Sequence, residues 1–416
     1  MKQKIIVVGA GFAGLQFVRK IDPQFFNILI IDKLNHHQFQ PLFYQVATSQ
    51  IEPSSISFPI RHIFKNKNHV RIRMGEVLRL NHQDKSISTN IGDFEYDYLV
   101  IATGCKTNFF GNREIEKNAF SLKSTYDSIT IRNHILQTFE SVLAVPEEKR
   151  GDLLQLVIVG AGPTGVELAG AFAEIKRNIL PKDYPRIDFS AFKIILIEGS
   201  GRTLNNMSEN AKQTSRKYLE NMGVTILTET FVENYDGEIL TLKGGPTIKT
   251  ETVIWAAGVI GNNIEGIPEN EIKRGNRIAV NRTNQTFFSD NVFALGDIAY
   301  METPNYPFGH PQVANVAINQ AVNLAKNLNR IKKGKPQKEF EYKDLGSMAT
   351  IGRNKAVVDF PFVRFKGYFA WVIWMFLHLM LILSVRNKLI VFINWAFAYI
   401  TKDTSLRLIL TPTTKK

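Results

Sequence analysis

Ile5-Ile6-Val7-Val8-Gly9-Ala10-Gly11-Phe12-Ala13-Gly14 carries an apolar strand straight into a turn of the form G-x-G-x-x-G. Residues 15–20 continue as a helix, and residues 28–31 as a second apolar strand that ends at Asp32. In such a turn the first glycine permits the bend, the second lets a pyrophosphate approach the backbone, and the third lets helix pack on strand. The helix N-terminus then offers N–H groups and a positive dipole end to phosphates. Asp32, 18 residues after Gly14, stands where a carboxylate accepts hydrogen bonds from a ribose diol. An isolated glycine-rich turn is often only a turn. Strand, helix and terminal acid in this order point to a dinucleotide site.

The pattern returns in mid-chain. Residues 156–159 lead into Gly160-Ala161-Gly162-Pro163-Thr164-Gly165, a helix follows from Val166, and a strand at 194–197 ends at Glu198, delayed by an insertion around 180–190. A carboxylate at that strand end favours a free ribose 2′-hydroxyl and repels a 2′-phosphate, so NADH is expected over NADPH. The bland alternative is a solvated acid at a strand end. Two βαβ units in one chain read as an internal duplication. They imply two dinucleotides face to face, one giving hydride and one taking it. The usual pairing is a resident FAD and a transient NADH. Between and after the units lie three more apolar strands with small-residue stops: Tyr98-Leu99-Val100-Ile101-Ala102-Thr103-Gly104, Val253-Ile254-Trp255-Ala256-Ala257-Gly258 and Val292-Phe293-Ala294-Leu295-Gly296-Asp297. A helix over about 312–329 and a linker at 332–336 complete this part.

Composition bounds the rest. At 416 residues, two to three domains are expected. An apolar fraction of 44% with 21% charged residues is ordinary for globular protein, which excludes disorder as the class. Cys105 is the single cysteine, so no intramolecular disulfide or dithiol redox pair can form. The formal charge is +13, and residues 361–416 hold eight Lys/Arg against Asp403 alone, with three of the four tryptophans. Basic and aromatic together suggest an anionic lipid surface rather than nucleic acid. Met1-Lys2-Gln3-Lys4 leads directly into a strand without a signal-peptide pattern, and a cytoplasmic address is expected. The eight histidines are scattered, with His36-His37 read as turn polarity and packing, and no metal cluster or Ser-His-Asp arrangement is indicated.

Several segments carry a family resemblance. Ala102-Thr103-Gly104, Trp255-Ala256-Ala257-Gly258 and Ala294-Leu295-Gly296-Asp297 resemble those of the two-dinucleotide-domain flavoprotein reductases. Residues 37–48 (HQFQPLFYQVAT), 162–170 (GPTGVELAG) and 346–353 (GSMATIGR) narrow the resemblance to type II NADH:quinone oxidoreductase, the non-pumping respiratory dehydrogenase, along essentially the whole chain. The resemblance implies one non-covalent FAD per chain, held by Gly9, Gly11, Phe12, Ala13, Gly14, Asp32, Lys33, Gln45, Val77, Ala102, Thr103, Gly104, Gly296, Asp297, Val313, Ala314 and Ala317. Asp297 would bond the ribityl chain, and the next helix would aim its N-terminus at the pyrimidine edge. NADH would bind at Gly160, Gly162, Pro163, Thr164, Gly165, Glu198, Ala257 and Gly258.

Glu167 matches the family's glutamate beside the nicotinamide and quinone sites, although a carboxylate in a helix's first turn suits the dipole anyway. The segment 312–321 matches the quinone-lining one. Where the family usually has Ala-Gln and Gln-Gly, this chain has Ala314-Asn315 and Gln320-Ala321, so Asn315 and Gln320 are the quinone candidates. Asn315 shortens the reach of an amide and Ala321 adds a methyl.

Residues 368–385 (YFAWVIWMFLHLMLILSV) run 18 positions without a formal charge, about 27 Å as a helix against a ~30 Å hydrocarbon core. A spanning helix is one reading. Arg364 and Lys366 before the run, Arg386 and Lys388 after it, and a short second run at 389–400 favour helices lying in one leaflet's interface, anchored by Trp371, Trp374 and Trp395. A buried or dimeric face is the third.

The expected architecture is therefore α/β with two Rossmann-like domains. A discontinuous FAD domain (1–118 and 259–335) encloses an inserted NADH domain (119–258), and 336–416 form a helical membrane-binding region. Hydride would pass from NADH to FAD and two electrons to a membrane quinone, ubiquinone or menaquinone, at the cytoplasmic face of the cell membrane. A homodimer is left open. The rivals are a soluble ferredoxin- or rubredoxin-type reductase, which would lack the basic tail, and a flavoprotein serving as an interaction module. Sulfide:quinone reductases are disfavoured because one cysteine cannot form their redox pair.

Overall fold

The computed structural model describes residues 2–147, 150–404 and 406–410. The chain sorts into two units. The first comprises Met1–Gln38, Phe58–Lys106 and Val259–Lys343; the second comprises Phe39–Ser57, Thr107–Gly258 and Asp344–Lys416.

In the first unit five parallel strands lie in the order Val292–Ala294, Tyr98–Ile101, Gln3–Val8, Phe26–Asp32, Val70–Met74. Apart from the exposed edge strand Val70–Met74, their central positions are buried on both faces, as near-continuous runs such as Ile28-Leu29-Ile30-Ile31 require. The helices Phe12–Lys20 and Ala314–Lys332 pack together over this unit.

The second unit repeats the plan with four parallel strands, ordered Val224–Leu227, Lys193–Ile197, Gln155–Val159, Thr252–Trp255. Its nucleotide helix, Pro163–Asn178, has 16 residues where Phe12–Lys20 has nine. That helix packs on an antiparallel sheet of Ser347–Gly352, Lys355–Asp359 and Arg364–Lys366. Gly170 faces Ile351 there, and a Cβ at 170 would collide with the Ile351 carbonyl. Helix and strand touch backbone to backbone, which only glycine permits.

Two departures from the sequence reading concern the second unit. Residues 107–118 and 39–57, expected with the first dinucleotide domain, cluster with the second unit, and the latter stretch is held there by its own packing. Its helix Phe43–Ala47 packs on Thr125–Ala144 and Pro163–Asn178, and Asn387 donates to the Ser54 and Ser55 carbonyls. The uncharged run 368–385 is also cut. The helix Tyr368–Leu381 stops at Ile382, and Ser384 precedes a second helix, Val385–Thr401. They measure about 21 and 26 Å, and among the described residues no helix is long and apolar enough to cross a membrane.

Candidate functional site

The two glycine loops are near copies. Gly9 and Gly160 adopt φ +98 and +104, and a side chain on either would strike the carbonyl of Ala102 or Ala256. Gly14 and Gly165 pack equally tightly on the Gly9 and Gly160 carbonyls, closing helix onto strand. A Cβ on Gly11 or Gly162 would meet nothing within 4 Å, which is the open approach a pyrophosphate needs. No side chain caps either helix, so neither helix start is closed against an anion by its own cap.

The strand-end acids also match. Ala10 N–H donates to Asp32 Oδ2 at 2.6 Å, and Ala161 N–H donates to Glu198 Oε2 at 2.7 Å. The other oxygen of each takes a second backbone donor, Leu34 at 2.7 Å for Asp32 and Ser200 at 2.8 Å for Glu198. Each acid thus shapes its loop, while the remaining lone pairs can accept ribose hydroxyls. Burial raises the Asp32 pKa, against the pull of those N–H groups. Lys33 pairs with Glu76 at 2.5 Å.

In the first unit, further residues fit a flavin dinucleotide. Val77 and Ala102 are buried, Gly104 has φ +70, and Thr103 Oγ1 is enclosed without a partner among the described residues. Gly296, at φ +72, sits against Ala317 and Ala13, and its N–H donates to Gln320 Oε1 at 2.8 Å. Asp297 Oδ2 accepts the Cys105 thiol at 3.0 Å, and its carbonyl accepts Gln312 Nε2 at 3.0 Å. The helix beginning at Ala314 has Val313 as an N-cap without a capping side chain. Gln320 is fully buried: its side-chain oxygen holds the Gly-Asp turn, and its Nε2 has no partner among the described residues. Asn315 keeps partial exposure on the first turn of the helix.

In the second unit, the nucleotide helix leaves Pro163 and Thr164 exposed at its start and then lines a cavity of about 120 Å³. Glu167, Ala171, Glu174, Ile175 and Asn178 fall on one face of it and all border the cavity. Trp374, Trp395, Trp371 and Tyr44 build the aromatic wall. Trp374 stacks on His378 at 4.0 Å between ring centres, and His378 Nδ1 donates to the Trp374 carbonyl at 2.8 Å. Burial lowers the His378 pKa to about 4, so the ring is neutral. Gln45, expected on the flavin, has its amide committed here: Nε2 donates to Tyr44 Oη and Oε1 accepts Trp395 Nε1, both at 2.8 Å.

Two acids of the helix, Glu167 and Glu174, border this cavity, and burial raises the pKa of both. Glu167 is half-buried at the cavity wall. Burial pushes its pKa up to about 8, against the opposing pull of the Thr350 N–H at 3.4 Å and the Trp374 indole. The carboxyl is therefore protonated at neutral pH. The same burial, aided by Glu167, raises Tyr44 well above the usual tyrosine range.

The aromatic wall was not foreseen in the sequence. The tryptophans read as interface anchors, but Trp374 is 1% exposed and Trp395 8%. What the two helices expose instead are Phe369, Val372, Phe376 and Met380 on one, and Leu389, Phe392, Ile393, Phe397 and Ile400 on the other.

Comparison with known proteins bears on the family and the fold. Residues 3–321 match the family model described as pyridine nucleotide-disulphide oxidoreductase, and residues 345–402 match that of the NDH2 C-terminal domain. The type II NADH:quinone oxidoreductase Ndh of Mycobacterium tuberculosis is 30% identical over 96% of this chain and 89% of its own length. The type II NADH:quinone oxidoreductase of Staphylococcus aureus is 29% identical over 86% of this chain and 89% of its own. Among solved structures, NDH2 from Plasmodium falciparum in complex with NADH shares the fold at a TM-score of 0.89 and 22% identity, covering 99% of this chain and 100% of that one. The sulfide:quinone oxidoreductase of Aquifex aeolicus shares it at 0.73 and 18% identity, over 93% and 92%.

Proposed function

The chain belongs to the pyridine nucleotide-disulphide oxidoreductase family, among its type II NADH:quinone oxidoreductases, and from that membership we propose how its own residues divide the work. The enzyme oxidises NADH through a flavin and passes two electrons to a quinone without pumping protons. Supporting FAD as the flavin are the open approach at Gly11, the orphaned Thr103 Oγ1 and the Asp297 turn held by Gln320. A non-covalent FAD in the first unit would supply a two-electron carrier that takes hydride and releases it again.

NADH binds over Gly160, Gly162 and Thr164, with Glu198 on the ribose and Ala257 and Gly258 beneath it. The quinone ring enters the aromatic cavity. One observation carries this assignment: the helix that opens at the NADH loop is the helix whose next turns line that cavity. Reducing a quinone to a quinol consumes two electrons and two protons. Glu167, protonated at neutral pH, donates one of those protons to a quinone oxygen and is recharged from solvent.

The exposed apolar faces of Tyr368–Leu381 and Val385–Thr401 rest in the plane of a bilayer, as the family's membrane association requires, with Arg364, Lys366, Arg386 and Lys388 in the headgroups. That membrane is the cell membrane, at its cytoplasmic side. The purified protein should show a flavin spectrum that NADH bleaches and a ubiquinone or menaquinone analogue restores. A protein that holds flavin and fails to turn over with either quinone would refute the reading.

A further inference from the structure

Beside the aromatic cavity, still within the second unit, lies a recess of about 380 Å³ of different chemistry. The last turns of Pro163–Asn178 supply Arg177, the hairpin turn supplies Arg353, the strand after it Lys355, and Lys402 closes it from the end of Val385–Thr401. One acid, Glu174, faces these four cations. Its Oε1 already accepts the Arg353 backbone N–H at 2.5 Å, and burial raises its pKa against the pull of Lys355 and Arg353. The nearby Asp403 is engaged by Arg407 at 2.8 Å.

A basic cluster is usually a solvated face, and two further observations argue against that here. The Arg353 guanidinium is fixed, lying 4.1 Å over the Tyr399 ring, and its Nη1 is enclosed with no acceptor among the described residues. An enclosed charged donor without an acceptor is costly, and a ligand oxygen would relieve that cost. The recess also adjoins the lipid-facing helix: Ile400, 79% exposed on its apolar face, is two residues from Lys402. A single water needs about 10–15 Å³ of such space, so the recess has room for a far larger group.

We propose that this recess binds the phosphate of an anionic phospholipid headgroup, with Arg177, Arg353, Lys355 and Lys402 around it and the acyl chains along the apolar face of Val385–Thr401. This rests on the membrane reading above and adds to it a specific seat for one lipid. Bidentate and point-charge donors together suit a phosphodiester. The seat shares Arg353, Lys402 and Glu174 with the quinone cavity, so a bound lipid would stand at that cavity's edge.

The test is sedimentation of full-length protein with phosphatidylcholine vesicles, with and without phosphatidylglycerol, at about 0.15 M salt. Arg177→Gln with Lys355→Gln removes two charges that touch only the recess. Arg364→Gln with Lys366→Gln removes two from the helix flank. The recess pair should lower binding to phosphatidylglycerol vesicles about tenfold or more, clearly beyond the flank pair, while binding to neutral vesicles and NADH oxidation with a water-soluble acceptor stay unchanged. Equal losses from both pairs would mean a diffuse basic field and overturn the proposal. So would inorganic phosphate binding the vesicle-free protein, followed by tryptophan fluorescence, with the same dependence on Arg177 and Lys355. Wild-type protein that ignores both vesicle types would instead refute the membrane reading itself.

Discussion

Gln45 and Trp395, 350 positions apart, share a buried hydrogen bond of 2.8 Å in which the indole N–H donates to the amide oxygen. Gln45 in turn donates to Tyr44 at 2.8 Å, so one amide fixes both an early segment and a late helix to the aromatic cavity. Trp395→Phe keeps a ring and removes the donor. The buried Gln45 oxygen is left unsatisfied, at about 1–3 kcal/mol. Thermal denaturation should show that loss, and the KM for quinone should rise while NADH oxidation with a soluble acceptor is preserved.

Glu167 sets a pH limb. Quinone reduction should fall as pH rises through about 8, where the carboxyl loses its proton. Glu167→Gln should remove that limb and lower the maximal rate.

Stability follows the same residue with a definite sign. The folded carboxyl binds its proton more tightly than the unfolded one, so folding is favoured below about 4.5 and that share is lost between about 4.5 and 8. Denaturant melts over this range should slope downward by at most about 1.4 kcal/mol per pH unit and flatten in Glu167→Gln.

Gly170→Ala places a methyl against the Ile351 carbonyl. Helix and hairpin must part, and a loss of about 1–3 kcal/mol or more is expected from chemical denaturation. The NADH loop lies two turns away, so KM for NADH should change less than KM for quinone.

Glu198→Arg should raise use of NADPH relative to NADH. It also strips Ala161 and Ser200 of their acceptor, so the variant should be less stable than the wild type. An unchanged cofactor ratio would show that the acid shapes its loop without touching the ribose.

Gln320→Leu should weaken flavin retention, measured by absorbance after dialysis. It leaves the Gly296 N–H buried without an acceptor and loosens the turn that carries Asp297.

The glycine loops were legible in the sequence because Gly9 and Gly160 take a left-handed backbone and Gly14 and Gly165 touch a carbonyl, while Gly11 and Gly162 keep the approach open. Asp32 and Glu198 were legible as well, at fixed distance from their loops. The cavity was not. Its walls come from Tyr44, Glu167, Thr350, Trp374 and Trp395, which no spacing rule connects. Composition could say that the tail is aromatic and could not say which face of each helix turns inward. Phe369 is 72% exposed where Trp374, five residues on, is enclosed. Gln45 and Gln320 were found as important amides, and only the packing showed that Gln45 spends both ends of its amide on protein and Gln320 its oxygen.

The unequal lengths of the two nucleotide helices have a consequence of their own. Superposing Gly9 on Gly160 aligns Lys20, the last residue of the shorter helix, with Ala171. Glu174, Ile175 and Asn178 therefore lie wholly in the overhang, on ground the first copy does not possess. A doubled gene segment would yield a matched pair of cofactor cradles and nothing more. Prolonging one rod by two turns adds ground that the first copy lacks, and trimming it back would remove the part of the cavity wall that these three side chains supply.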